Sequence, residues 1–455
     1  MNTQTENRAL IDVLARIFER WTPNPFIIAI FLTLIVMGLS YALTPSSASE
    51  VIYAWGTGLT GLLTFMTQIA LAILFGHVLT HTSRAQQVLQ RIASVPKTAI
   101  QAYVMVTVFS ILATMVQWAL GLIVGAVLAK STAFALRKRG IRADFPLLIA
   151  GAYSGFIFAG LAYNGTIPLT SASAGSFIEG TLGYVVPLSQ TVFTVYNWTA
   201  LIALFILIPA TLVWLRPKHN PNEITAPEQT EPTPANNSNA PHTPPTPAER
   251  VEQSRLITLT LGLLFVLFLI FHFVTNGFAL SLDIVNWIML TFILILVRSP
   301  AELIRLITQA AGSVGDVLIQ FPLYAGILGI LGTTGLISVL SDFFISISGA
   351  NGLPLITFIA AGLVNFAVPS AGGQFAMQGP LFLEAANQLN IDPAVIIMAI
   401  SYGDTWTNLL QPFFALPLLA IAGLHVRTIF KYTFPLFIVS GLVFILTILW
   451  WSLSV

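Results

Sequence analysis

A chain of 455 residues that is 56% hydrophobic and 8% charged cannot be an ordinary soluble domain, in which about 25% of residues carry charge. The formal net charge of +1 supplies no basic surface for nucleic acid, and the absence of cysteine excludes disulfides and thiolate metal sites. Uncharged runs longer than the roughly 20 residues needed to cross a bilayer recur along the chain, so the class is an all-α polytopic membrane protein.

Residues 1–21 place Leu10, Leu14, Ile17, Phe18 and Trp21 at helical spacing beside Arg16, Glu19 and Arg20. That pattern predicts an interfacial helix, without the cleavage signature of a secretory leader. The rest of the topology follows from Lys and Arg, which collect in short cytoplasmic loops. They cluster at 8–20, 84–97, 130–142, 216–218, 250–255, 298–305 and 427–431, and none falls between Arg305 and Arg427. With every cluster inside, Phe26–Leu43 exits and Leu59–Thr80 returns. The stretch Thr98–Ala129 then has basic flanks at both ends and is too short for two crossings, so it reads as a re-entrant helical hairpin. Pro146–Thr170 crosses outward with a break at Asn164, Gly165 and Pro168, and Val192–Leu215 returns.

Residues 217–247 hold nine prolines among Asn, Thr and Glu, the composition of a semi-extended cytoplasmic tether. Beyond it Leu256–Val274 and Ile284–Val297 cross out and back, and Ala310–Leu331 crosses outward again. The segment Val364–Pro380, VNFAVPSAGGQFAMQGP, is too polar and too broken to span lipid. Non-helical backbone at that depth is tolerated only where protein buries it or it lines a cavity. It reads as a second hairpin, entering from outside. Pro393–Leu424 crosses inward and Phe434–Trp451 exits. The expected division is an interfacial helix at 1–21, a first repeat at 22–216, a linker at 217–254, an extra span at 255–279 and a second repeat at 280–455. This makes about nine crossings and two hairpins.

The two halves echo one another. EVIYAWGTGLTGLLTFMTQ (Glu50–Gln68) lies over ELIRLITQAAGSVGDVLIQ (Glu302–Gln320), Gln117-Trp118 over Asn365-Phe366, Pro146 over Pro393, Ser154 over Ser401 and Asn164 over Gln411. On the charge map the copies start on opposite sides of the membrane. Inverted repeats with the site at their interface are a secondary-transporter signature.

The candidate binding residues follow from the breaks. In the first half they are Gln117, Trp118 and Gly121 at the hairpin tip, then Asn164, Gly165 and Thr166. In the second they are Asn365, Ser370, Gly372, Gly373 and Gln374 at the tip, then Thr405, Asn408 and Gln411. Opened helix N-termini favour an anion, while amide, hydroxyl and carbonyl oxygens suit a cation. No Lys or Arg lies in these segments, so a carboxylate would be held by N–H, hydroxyl and amide groups. Asp404 is an acid inside a span, which costs about 2.5–3.5 kcal/mol on insertion scales if it faces lipid; with Ser401 and Ser154 it is the candidate for a coupling ion. Asp316 fits the same cavity or the cytoplasmic end of its span equally well. Glu384 reads as surface, His77 and His81 as surface histidines rather than a metal pair, Gly121 and Gly125 as a packing motif, the phenylalanines as lipid-facing bulk, and Trp450–Trp451 as an interfacial anchor. No catalytic or metal-ligating set is read.

NFAVPSAGGQFAMQGP, SYGDTWTNLLQPFFALPLLAIAG, FPLLIAGAYSGF and WTPNPFIIAIFLTL resemble the bacterial short-chain fatty acid transporter family (the AtoE type) almost end to end. They also resemble the wider superfamily of hairpin-bearing, inverted-repeat anion symporters. The resemblance implies uptake of short-chain monocarboxylates such as butyrate or acetoacetate across the bacterial inner membrane. It implies symport with H⁺ or Na⁺, an elevator-like mechanism, and a homodimer by analogy of fold. The expected partners are the carboxylate and the bilayer, with no nucleic acid; the N-terminus is expected inside and the C-terminus in the periplasm. No cofactor is expected beyond the coupling cation. A channel or facilitator for small organic anions is the alternative. An intramembrane enzyme finds no motif to support it.

Overall fold

A computed structural model describes residues 25–217, 221–223 and 246–454, Pro412 excepted, and the described chain is helical without strands. The expected interfacial helix at 1–21 lies outside the described residues. The first half runs α1 (Pro25–Leu43), α2 (Ala48–Gly58), α3 (Leu63–Thr80), α4 (Ser83–Ala93), α5 (Ala99–Val116), α6 (Trp118–Lys138), α7 (Phe145–Ser154), α8 (Thr166–Ser171), α9 (Phe177–Leu182) and α10 (Val195–Leu215). After the linker come α11 (Pro247–Glu252), α12 (Arg255–Asn276), α13 (Leu282–Leu296), α14 (Pro300–Ala310), α15 (Gly315–Thr333), α16 (Leu336–Ala367), α17 (Ala371–Gln388), α18 (Pro393–Thr407), α19 (Ala415–Ala422) and α20 (Val426–Ser454).

The same order of elements occurs twice. A span leads to a short helix opened by a Ser-Glu cap, then a second span, an amphipathic helix, a hairpin, a broken span and a final span. The caps repeat in detail. The Glu50 carboxylate accepts the Ser47 N–H at 2.7 Å, and Glu302 accepts the Arg298 N–H at 2.6 Å, each beside a serine that caps its own N–H. The first is a full capping box; in the second Glu302 reaches past the cap residue Ser299, and each serine satisfies a donor that a helix start leaves open. In the second half the amphipathic helix and the first hairpin arm are fused into α16, with the joint at Gly349, whose φ of 59° needs glycine.

Among the described residues nine helices are long and apolar enough to cross a membrane. Six of them are expected crossings. The other three, α5, α6 and α16, carry hairpin arms, whereas the broken spans at α7 and α18 and the short α13 fall below that length. Both hairpins turn inside the molecule: Gln117 is 1% exposed and Val368 is fully buried.

The structure moves several expected features. Asn365 is not at a tip; it sits on the last turn of α16, and the tip is Val368–Ser370. The second break does not open at Gly403. Helix α18 runs on to Thr407, and Gly403 is there because a Cβ would fall 2.3 Å from the Phe358 carbonyl of α16. Many phenylalanines are core rather than lipid-facing, among them Phe158, Phe321, Phe358, Phe375 and Phe382. Trp451 is buried and stacks on Tyr196, while Trp450 is exposed. Within the Pro-rich stretch the described residues 221–223 are pinned. The Phe145 N–H donates to the Asn222 carbonyl, the Asn222 N–H to the buried Asp144 carboxylate, and Arg142 pairs with Glu223 at 2.6 Å.

Candidate functional site

The first hairpin turns because Gln117 is extended (φ −162°, ψ 132°), which ends α5 and caps α6. Its Oε1 accepts the Leu120 N–H at 2.8 Å, and its Nε2 donates to the Ala72 carbonyl of α3. The arms close tightly at Gly121 and Gly125, which face Thr114 and Ser110 with no room for a Cβ. In the second hairpin Ser370 caps α17 through the Gly373 N–H. That tip lies flat on aromatic rings: a Cβ on Gly373 would fall 2.4 Å from Tyr324, and one on Gly372 3.0 Å from Phe65.

The two broken spans cross and are stitched together at their breaks. After α7 the backbone tightens into a 3-10 turn, Gly155–Gly160, whose carbonyls face α18. Ser401 donates to the Gly160 carbonyl at 2.8 Å and Thr405 to the Ile157 carbonyl at 3.0 Å. In return, the Tyr153 hydroxyl donates to the Asn408 carbonyl beyond α18. Gly160 permits this approach, since a Cβ would lie 2.7 Å from the Ser401 carbonyl. Each hairpin is also tied to the break of its own half. Asn164 donates to the Thr114 and Met115 carbonyls, and Asn365 to the Asp404 carbonyl, Thr407 Oγ1 and Asn408 Oδ1. Gln411 extends the second set, donating to Asn408 Oδ1 and accepting the Phe413 N–H.

These elements enclose a cavity of about 640 Å³. One wall is α3 (Ile69, Ile73, His77) and α15 (Asp316, Val317, Gln320, Phe321). The facing wall is the start of α6, the 3-10 turn, Thr166 and Ile167 at the start of α8, the tip Pro369–Gly372, and Ser401, Asp404 and Asn408. Trp118, Phe156 and Phe414 meet at one side, with centroids 4.8–6.2 Å apart, so one aromatic cluster joins the first hairpin tip to both breaks. Among the described lining residues no Lys or Arg appears; the ionisable groups are His77, Asp316 and Asp404.

Of the residues picked from sequence, Trp118, Thr166, Ser370, Gly372, Ser401, Asp404 and Asn408 line this cavity. Gln117, Gly121, Asn164, Gly165, Asn365, Gly373, Gln374, Thr405 and Gln411 lie behind it. They close hairpins, tie breaks or let backbones approach. Ser154 bonds to its own helix, through the Gly151 carbonyl. Asp404, 6% exposed, sits in the last turn of α18 with Oδ1 unpartnered. Oxygens of Asn365 and Gln374 close by in the same half, and Asn164 Oδ1 in the other, are unpartnered too. Asp316 is on the cavity wall. His77 also lines it, with its ring stacked on His81 at 4.2 Å, so it is not a surface histidine. Glu384 accepts the exposed Gln388 amide. Gln320, Phe156 and Phe414 were not picked from sequence. The signals were present: an amide inside an apolar helix, and two aromatics flanking breaks.

A family model described as short chain fatty acid transporter matches residues 8–451. The chain belongs to this family. It is 36% identical over 439 residues to a protein of Escherichia coli K12 described as a putative short-chain fatty acid transporter, covering 95% of this chain and 97% of that one. A Haemophilus influenzae protein of the same description is 34% identical over 434 residues, covering 94% and 96%. In fold it is similar to the crystal structure of the YdaH transporter of Alcanivorax borkumensis, described as having an unusual topology. The TM-score is 0.62 at 16% identity, over 95% of this chain and 99% of that one. The chain is thus a multi-pass membrane protein of a transporter family.

Proposed function

We propose that this protein is a secondary active transporter of short-chain monocarboxylates such as butyrate or acetoacetate, driven by symport of H⁺ or Na⁺. The observation that carries the reading is Asp404. It is a buried carboxylate at the C-terminal end of a helix, where the backbone dipole is negative, and no described Lys or Arg shares its cavity. A charge so placed needs a proton or a cation to compensate it. The unpartnered oxygens of Asp404 and Asn365 are hard donors of the kind that a small cation takes. The rest of the cavity is apolar with a few polar groups, as a short acyl chain with one carboxylate requires.

Alternating access is elevator-like in this reading. The hairpins and crossed breaks form a stitched unit that carries the site past the wall of α3 and α15. The basic loops support a bacterial inner membrane location, with the N-terminus inside and the C-terminus in the periplasm, and the repeat of elements supports an inverted pair. The analogy of fold supports a homodimer. The deciding experiment is uptake of two- to six-carbon carboxylates into proteoliposomes, with Na⁺ and pH gradients imposed separately. Saturable uptake against a gradient, with counterflow, is the expected result. Flux that does not saturate and shows no counterflow makes the protein a channel instead.

A further inference from the structure

We propose that in this conformation of the transport cycle Gln320, on the α15 wall past which the site moves, holds the substrate carboxylate together with the backbone N–H groups that open helix α17. This rests on the carboxylate-transport reading above and assigns that substrate's anionic end to a place.

Gln320 lies on α15, is 5% exposed, and lines the cavity. Its Oε1 accepts the Tyr324 hydroxyl at 3.3 Å, which fixes the amide so that Nε2 is the free end. That Nε2 has no partner. Leaving both N–H donors of a buried amide unmet is costly, so its presence at a cavity wall points to a ligand that accepts from it.

The second part of the clamp is the hairpin tip. The first N–H groups of any helix have no intrahelical acceptor. At α17 the Gly373 N–H is taken by Ser370 Oγ and the Gln374 N–H by the Ser370 carbonyl. The N–H groups of Ala371 and Gly372 remain, and both residues line the cavity. They sit at the positive end of an 18-residue helix, which favours an anion.

The two parts are adjacent. The Tyr324 ring that engages Gln320 is the one occupying the space of a Gly373 Cβ, and the Phe321 ring lies 3.2 Å from where a Gly372 Cβ would be. Helix α15 and the tip of the second hairpin therefore meet beside Gln320, and one carboxylate spans them: one oxygen to the side-chain amide, the other to the backbone pair. The counterpart in the first half has been spent otherwise. Gln68 donates its amide to Asp283 at 3.0 Å, so this clamp belongs to the second half alone.

The test is butyrate uptake by the reconstituted full chain with both gradients imposed. Gln320→Glu keeps the shape and the acceptor for Tyr324, and replaces the donor with a negative charge. Gln320→Met keeps the length and removes the donor without adding charge. The expected result is a KM at least tenfold higher for the Glu variant and at least threefold higher for the Met variant, with Vmax within twofold of wild type in both. If Gln320→Glu does not fold, the Met variant decides alone. A KM unchanged within twofold in the folded variants overturns the assignment. Absence of saturable carboxylate uptake in the wild type overturns the transport reading itself, and the carboxylate as ligand with it. The first failure appears only in the variants and the second in the parent.

Discussion

Replacing Phe414 by Ala should make the transporter accept longer acyl chains. Phe414 joins Phe156 at 4.8 Å and Trp118 at 6.0 Å, closing one side of the cavity where the second break meets the first hairpin. The change removes a six-carbon ring from a wall already half open to the cavity, so little collapse is expected around it. Each methylene transferred from water to such a wall gains about 0.8 kcal/mol. Two additional methylenes then improve binding by about 1.6 kcal/mol, roughly 15-fold at 1.4 kcal/mol per decade. The wild type pays this amount in steric exclusion instead. Competition by four-, six- and eight-carbon carboxylates against labelled butyrate measures the shift. The ratio of inhibition constants for six against four carbons should fall by about an order of magnitude in Phe414→Ala. Phe414→Leu, which keeps most of the volume, should lie between. A ratio that does not move, in variants that still take up butyrate, refutes the idea that this cluster limits chain length.

Asp404→Asn should leave the protein folded and abolish accumulation of butyrate against its gradient; full accumulation in proteoliposomes would sink the coupling role. Gly403→Ala forces a methyl to 2.3 Å from the Phe358 carbonyl and 2.7 Å from Ala361, both on α16. Overpacking of that kind costs about 1–3 kcal/mol, and more where backbone is the obstacle, so the thermal midpoint in detergent should fall. An unchanged midpoint means that α16 and α18 do not pack this closely. Asn365→Leu removes the donor to Asp404 O, Thr407 and Asn408, leaving buried acceptors open at about 1–3 kcal/mol in all; the same melt measures it, and Asn365→Asp should not restore it. Glu50 is held below the usual carboxylate range by the Ser47 N–H and hydroxyl. Its cap is therefore fully formed above the ordinary Glu range and lost as pH falls through the lowered value. Protection of the Ser47 amide from hydrogen exchange should follow that course, and protection that persists far below it contradicts the capping box.

The class of protein and most of its helices were legible from composition and from the positions of Lys and Arg. Charge decides which loops stay in water, and that decision holds whatever the helices pack against. The two hairpins were legible for the same reason: Thr98–Ala129 has basic residues at both ends, and Val364–Pro380 is too polar for lipid. The Ser-Glu caps that open the short helix of each half are local chemistry and also show in the sequence.

The division of polar residues between cavity and scaffold did not show. An amide or hydroxyl in an apolar helix looks the same whether it faces a ligand or another helix. Ser401 and Thr405 meet carbonyls some 240 residues away, and Gln374 is turned back to its own hairpin, while Gln320, marked in sequence only by its match to Gln68, is left at the cavity wall with an unpartnered Nε2. Helix geometry places a side chain on a face within a few residues of chain, but the partner of that face is set by the crossing of the two broken spans. That crossing is decided by close approach at Gly160, and by a hydrophobic core shared between both halves. Sequence thus determined that the chain is a membrane protein with two hairpins and two interrupted spans, whereas tertiary packing alone decided which of its polar groups line the cavity and which tie the scaffold behind it.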